Sequence, residues 1–174
     1  CAAQGRIDAF FFSGGQIDGA GNINLVGIGD YPRSTVRFGG SYGSAFLYYM
    51  IPRIILFRPD HDPRVLVPKV DFISAAGTSP PGVWRRGGPY ALVTGKAVFH
   101  FDSNEGRFTL QSVHPGETLP DIQATTGFAF DVAPDLSETE SPDAATLSLI
   151  RGRVGREIAA TYPKFARESL GIAA

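Results

Sequence analysis

Residues 39–43, Gly-Gly-Ser-Tyr-Gly, carry the Gly-x-Ser-x-Gly spacing that sets a nucleophilic serine on a sharp strand-to-helix turn in hydrolases. Ser41 would be that nucleophile, with Ser-Thr-Val-Arg-Phe (34–38) as the strand and Ser-Ala-Phe-Leu-Tyr-Tyr-Met (44–50) as the helix. A triad then needs a later histidine, and the chain offers only His61, His100 and His114. Strand alternation turns His100 away from the face of Phe99 and Phe101, and His114 stands before a Pro-Gly turn. The serine nucleophile is therefore the weaker reading.

Two other motifs fall short. Gly19-Ala-Gly21 opens a dinucleotide fingerprint, but Asn24 holds the third glycine position and a strand follows where a helix must. Asp60, His61 and Asp62 cluster between Pro59 and Pro63, which reads as a solvated turn. No metal is expected there.

What remains are two glycine pairs, Gly14-Gly15 and Gly39-Gly40, each ending a predicted strand. Ten of the 21 glycines fall within the first 43 residues. Glycine lets a ligand approach the backbone closely and leaves N–H groups free to meet an oxyanion. The polar residues Gln16, Asp18, Asn22, Asn24 and Ser41 stand beside them. Ordinary tight turns remain the alternative.

The elements that must position these turns are mostly strands. Ala-Phe-Phe-Phe (9–12), 22–29, 34–38, Arg-Ile-Ile-Leu-Phe (53–57), 70–75, 90–101, 107–113 and 128–133 read as β-rich runs between Gly and Pro punctuation. Asn104-Glu105-Gly106 reads as a hairpin turn. Thr118 and Asp121 form a capping box for a short helix stopped by Gly127. A second helix starts at Ser141-Pro142 with Pro in its first turn, and Leu147, Ile150, Val154 and Ile158 form its apolar stripe, suited to packing on a sheet. Between the helices, residues 135–143 read as a polar linker, and a tail begins near residue 157. The expected fold is α/β, a layered mixed sheet flanked by helices.

With 174 residues, 43% of them hydrophobic, the chain is sized for one domain with a sizeable core. Sixteen basic against 17 acidic residues give no basic excess for nucleic acid. No apolar run approaches the roughly 20 residues of a membrane span, so no membrane partner is expected. Cys1 is the only cysteine, which excludes an internal disulfide and suits a reducing cytoplasm. An N-terminal cysteine can act as a self-processed nucleophile. The opening residues read instead as the end of a helix entering a strand, so a preceding segment is expected.

The run Phe-Phe-Phe-Ser-Gly-Gly-Gln-Ile-Asp-Gly-Ala-Gly-Asn-Ile-Asn (10–24), followed by Val-Arg-Phe-Gly-Gly-Ser-Tyr-Gly (36–43), resembles the β-subunit half of class I CoA transferases. The likeness continues through residues 69–74, 88–102, 110–132 and the late helix, and is strongest to the glutaconate CoA-transferase branch. It implies a single β-type domain over 1–174, short of its N-terminal part, with residues 157–174 as a C-terminal tail. It also implies an α-type partner, in a heterodimer or α2β2 assembly, and acyl-CoA as substrate. Coenzyme A would be the substrate carrier, with no tightly bound cofactor.

In that family a glutamate attacks the acyl-CoA, giving an acyl-glutamyl anhydride and then a glutamyl-CoA thioester. It lies upstream of the Gly-Gly-Gln segment, whereas all six glutamates here (105, 117, 138, 140, 157, 168) lie downstream. The resemblance therefore implies transfer of CoA between carboxylic acids. The alternatives are a ring-opening CoA-thioester hydrolase using a partner's glutamate, a non-catalytic subunit, or a serine hydrolase through Ser41. Gly39 and Gly40 are expected to supply oxyanion donors. Gly14 and Gly15 would form the floor, and Gln16, Asn22, Asn24 and Ser41 would contact substrate or hold the turns.

Overall fold

The computed structural model describes residues 1–172. Two compact units are present, Cys1–Thr139 and a second beginning at Glu140. In the first, β1 (Ala9–Phe12) leads to two short ribbons, β2 (Gln16–Ile17) with β3 (Ile23–Asn24), and β4 (Gly27–Ile28) with β5 (Val36–Arg37). Helix α1 (Ser44–Met50) follows, then β6 (Arg53–Arg58), β7 (Pro89–Thr94), β8 (Ala97–Asp102), β9 (Arg107–Val113), α2 (Leu119–Thr125) and β10 (Asp131–Glu138).

Six strands make one mixed sheet in the order β1-β6-β7-β8-β9-β10, flanked by α1 and α2. The β1–β6, β6–β7 and β9–β10 pairs are parallel, and the two centred on β8 are antiparallel. The alternation in β8 works as its sequence requires: Ala97, Phe99 and Phe101 are buried while His100 faces out. Ile54 and Leu56 fill the core from β6, Tyr48 from α1 and Ile122 from α2. Phe99 packs edge-on against Phe108 and Phe130, whose centroids lie 6.3 and 5.3 Å away. The β8–β9 hairpin closes as expected, with Gly106 at φ +66° and the Asp102 carboxylate accepting from the Asn104 and Glu105 N–H groups.

Several expectations shift. Residues 70–75 form no strand; Ala75 makes only an isolated bridge to Ile23. β10 starts at Asp131 and runs through Pro134 into the segment read as a linker. Proline is tolerated because β10 is an edge strand, and its register slips between Val132 and Ser137. The Thr118–Asp121 capping box is present, and α2 ends on an extended Thr126 just before Gly127.

In the second unit the helix cap is Asp143, which accepts from the Thr146 N–H at 2.7 Å, so Pro142 precedes the helix rather than opening it. The helix then divides into α3 (Ala144–Leu149), a π-helical turn (Ile150–Val154), α4 (Gly155–Thr161) and α5 (Pro163–Leu170). Leu147, Ile150, Val154 and Ile158 are half-buried. Of the expected tail at 157–174, the part to Ile172 is described and most of it is helical; its last two residues lie outside the described residues. No helix among the described residues is long and apolar enough to cross a membrane.

Candidate active site

β1 and β6 run side by side in parallel, so the turns after Phe12 and Arg58 emerge at the same end of the sheet. Carboxyl ends of parallel strands are where open α/β sheets form ligand crevices. A cleft of about 640 Å3 opens there, lined by Gly14 and Gly15 after β1 and by Gly39 and Gly40 after β5. Two glycine pairs 25 positions apart in sequence thus share one wall.

Close packing explains the glycines. A Cβ on Gly15 would collide with the Phe38 ring, and one on Gly14 would sit 2.8 Å from the Gln16 carbonyl. The first turn is bound by the Gly15 N–H, which donates to the Asn24 carbonyl at 2.8 Å. The second is bound by the Gly40 N–H, which donates to the Leu25 carbonyl at 3.0 Å. Among the described residues, the N–H groups of Gly14 and Gly39 donate to no protein acceptor. A Cβ on Gly39 would meet nothing within 4 Å. Gly39 therefore presents an open edge to the cleft.

Gln16 and Asn24 lie behind this wall, buried and bonded to each other. The Asn24 Nδ2 donates to Gln16 Oε1 and to the Gly27 carbonyl, both at 2.7 Å. Its Oδ1 accepts from the Val26 and Gly27 N–H groups. Gln16 Nε2 reaches Asp71 Oδ2 at 3.2 Å, and that oxygen also accepts from the Gly29 N–H. Asn22 is tied to Asp18 and accepts from the Gly77 N–H at 3.0 Å. These three side chains are tied to Asp18, Asp71 and the backbone at 26–27 and 77, and do not line the cleft.

Ser41 is half-buried and its carbonyl accepts from the Ser44 N–H. The left-handed non-glycine residue in this turn is its neighbour Tyr42, at φ +41° and 92% exposed. No histidine bonds to Ser41: His61 bridges Thr94 and Thr126, His114 bonds Thr139 and the Thr94 carbonyl, and His100 stacks edge-on with Tyr90. The described residues hold no triad at Ser41.

The rest of the lining includes the turn at 60–62, which the sequence presents only as solvated. Arg58, Asp60, Asp62 and Arg64 face the cleft, with Arg58 paired to Asp60 at 2.7 Å and Arg64 to Asp62 at 3.1 Å. The Arg64 side chain and backbone donate to Asp62 and hold its carboxyl below the usual carboxylate range. His61, expected in a solvated turn, is instead buried, with Nδ1 2.7 Å from Thr94 Oγ1 and Nε2 2.9 Å from Thr126 Oγ1. Burial, reinforced by Lys96, lowers its pKa to about 4, so it is neutral at pH 7. It pins the acidic turn to β7 and α2. The signal was the alternation Arg-x-Asp-x-Asp-x-Arg across residues 58–64, with His61 the one buried residue at its centre. No group of three or more metal-ligating side chains exists among the described residues.

Residues 2–125 match the coenzyme A transferase family. A subunit of the glutaconate CoA-transferase of Acidaminococcus fermentans is 34% identical over 83% of this chain and 56% of its own length. The cholesterol ring-cleaving hydrolase IpdB subunit of Mycobacterium tuberculosis (strain ATCC 25618 / H37Rv) is 29% identical over 78% of the chain, again 56% of its own. The crystal structure of the decarboxylase AibA/AibB superposes with a TM-score of 0.75 at 31% identity, covering 86% of this chain and 58% of that one. The chain belongs to the coenzyme A transferase family. It spans a little over half the length of the curated relatives it matches.

Proposed function

We propose that this chain is the β-type part of a cytoplasmic CoA transferase, working with an α-type partner to move CoA between carboxylic acids. The observation that carries this is that the glycine turns after β1 and β5 line one cleft, with the Gly39 N–H donating to no acceptor among the described residues. A thioester carbonyl seated against Gly39 gains a donor as negative charge grows on its oxygen during attack. One such donor is worth on the order of 3 kcal/mol in the transition state. Gly40, whose own N–H is held by Leu25, supplies the turn that aims Gly39.

The attacking carboxylate comes from outside these residues. None of the six glutamates lines the cleft, and both of its aspartates are paired with arginines. A glutamate brought by the assembly attacks the thioester carbon and expels CoA thiolate, leaving an acyl-glutamyl anhydride. The thiolate then attacks the glutamyl carbonyl and releases the first carboxylate. A second carboxylic acid reverses the sequence and leaves as its CoA thioester.

The likeness to a ring-cleaving hydrolase subunit supports a second reading, in which water completes the reaction. The complex with an α-type chain separates the two. Acyl-CoA consumption that requires a carboxylate acceptor and conserves the thioester supports transfer. Free CoA appearing stoichiometrically without acceptor supports hydrolysis, and no consumption with any acyl-CoA overturns both.

A further inference from the structure

A second pocket, of about 480 Å3, lies at the opposite end of the sheet, where Pro52 and Gly88 precede β6 and β7 and where β8 finishes. The six residues of β6 separate it from the glycine cleft by roughly 20 Å. Its polar lining includes Arg85, Arg86, His100, Ser79 and Ser103, and no carboxylate. Neither arginine forms an ion pair among the described residues, whereas Arg58, Arg64, Arg107 and Arg153 all do.

Arg85 is held in place without being neutralised. Its Nε donates to the Gly87 carbonyl, Nη2 to the Tyr48 carbonyl at 3.2 Å and Nη1 to Ser79 Oγ at 3.4 Å. The Tyr48 and Tyr49 rings each lie 5.6 Å from its guanidinium carbon. Burial lowers its pKa, opposed by the neighbouring Tyr48 and Tyr49 and by no carboxylate. A half-desolvated, fixed guanidinium beside a second exposed one favours a compact anion of high charge. The backbone of Gly87 and Gly88 forms part of the wall, so such an anion can approach closely.

We propose that this pocket binds the phosphate groups of a small phosphorylated ligand. That ligand is either the phosphate-bearing end of a CoA thioester or a separate organic phosphate. The site stands on its own residues and does not depend on the chemistry assigned to the glycine cleft.

Titration calorimetry of the purified chain with inorganic pyrophosphate and with CoA tests it. Pyrophosphate is expected to bind, to weaken as salt rises from 50 to 200 mM, and to lose about tenfold in affinity in Arg86→Gln. Arg86 is exposed, so that variant keeps the fold. Ser103→Ala provides a second, milder loss. If CoA loses affinity in Arg86→Gln by the same factor, the pocket takes the phosphates of CoA. If CoA is unaffected while pyrophosphate weakens, the ligand is a separate organic phosphate. Absence of pyrophosphate binding at millimolar concentration, or equal affinity in wild type and Arg86→Gln, overturns the site, including the outcome in which an acidic partner surface covers it instead.

Discussion

The Gly40 N–H donates to the Leu25 carbonyl at 3.0 Å, which fixes the second glycine turn to the loop between β3 and β4. Gly40 holds φ at +105°, a conformation that a β-branched residue reaches only at a cost of about 2 kcal/mol. Gly40→Val is therefore expected to keep the fold at reduced stability. Its turnover of acyl-CoA in the assembled enzyme should fall by at least about a hundredfold, because the neighbouring donor loses its aim. A kcat near that of wild type would remove this turn from the reaction.

Gly39 separates donor chemistry from shape. Gly39→Ala keeps the N–H and adds a methyl with no protein atom within 4 Å. Gly39→Pro deletes the N–H. Proline is expected to lower kcat by on the order of a hundredfold beyond alanine, with circular dichroism confirming that both variants fold. Equal kcat values for the two would show that the donor is unused.

Ser41→Ala is expected to retain most activity, since no histidine bonds to Ser41 and the glycine donors are untouched. A loss of about a thousandfold, together with labelling of Ser41 by a serine-reactive probe, would restore the hydrolase elbow.

The strands and hairpin were legible because period-two burial is written directly into stretches such as Ala97–Asp102. The two glycine pairs were legible as donors in waiting, but their meeting was not, since it depends on both turns bonding to adjacent carbonyls, Gly15 to Asn24 and Gly40 to Leu25. The acidic turn at 60–62 misled because prolines on both sides suggest full exposure. Its side chains instead split, with the aspartates facing the cleft and His61 the core. Pro134 hid β10 for a related reason: an edge strand can forgo a ladder bond, and sequence alone does not say which strand is at the edge.

Asn24 distinguishes turn-holding from substrate contact. Its Nδ2 gives two hydrogen bonds of 2.7 Å to carbonyl oxygens, inside a fully buried site. In Asn24→Asp a carboxylate oxygen would face both acceptors. The expected loss is on the order of 3 kcal/mol, read as a lower denaturant midpoint. The KM for acyl-CoA, measured where the variant is still folded, should stay within about twofold of wild type. Unchanged stability with a raised KM would instead make Asn24 a substrate ligand.

His61 predicts how the fold responds to acid. Its pKa falls from 6.5 to about 4 on folding, chiefly because burial disfavours the charged ring. Between these values the unfolded chain binds a proton that the native chain refuses, so stability is full above pH 6.5 and declines as pH drops toward 4. The whole interval corresponds to about 3 kcal/mol, and about 2 kcal/mol of it is lost by pH 5, before most carboxylates titrate. Urea midpoints measured at pH 7.5, 6 and 5 should therefore fall steeply in wild type. His61→Gln cannot titrate and retains groups able to bond Thr94 and Thr126. It should be less stable at pH 7.5 but lose distinctly less between pH 7.5 and 5. Parallel declines in the two proteins would show that the imidazole is not the acid-sensitive tie between the cleft's acidic turn and the sheet.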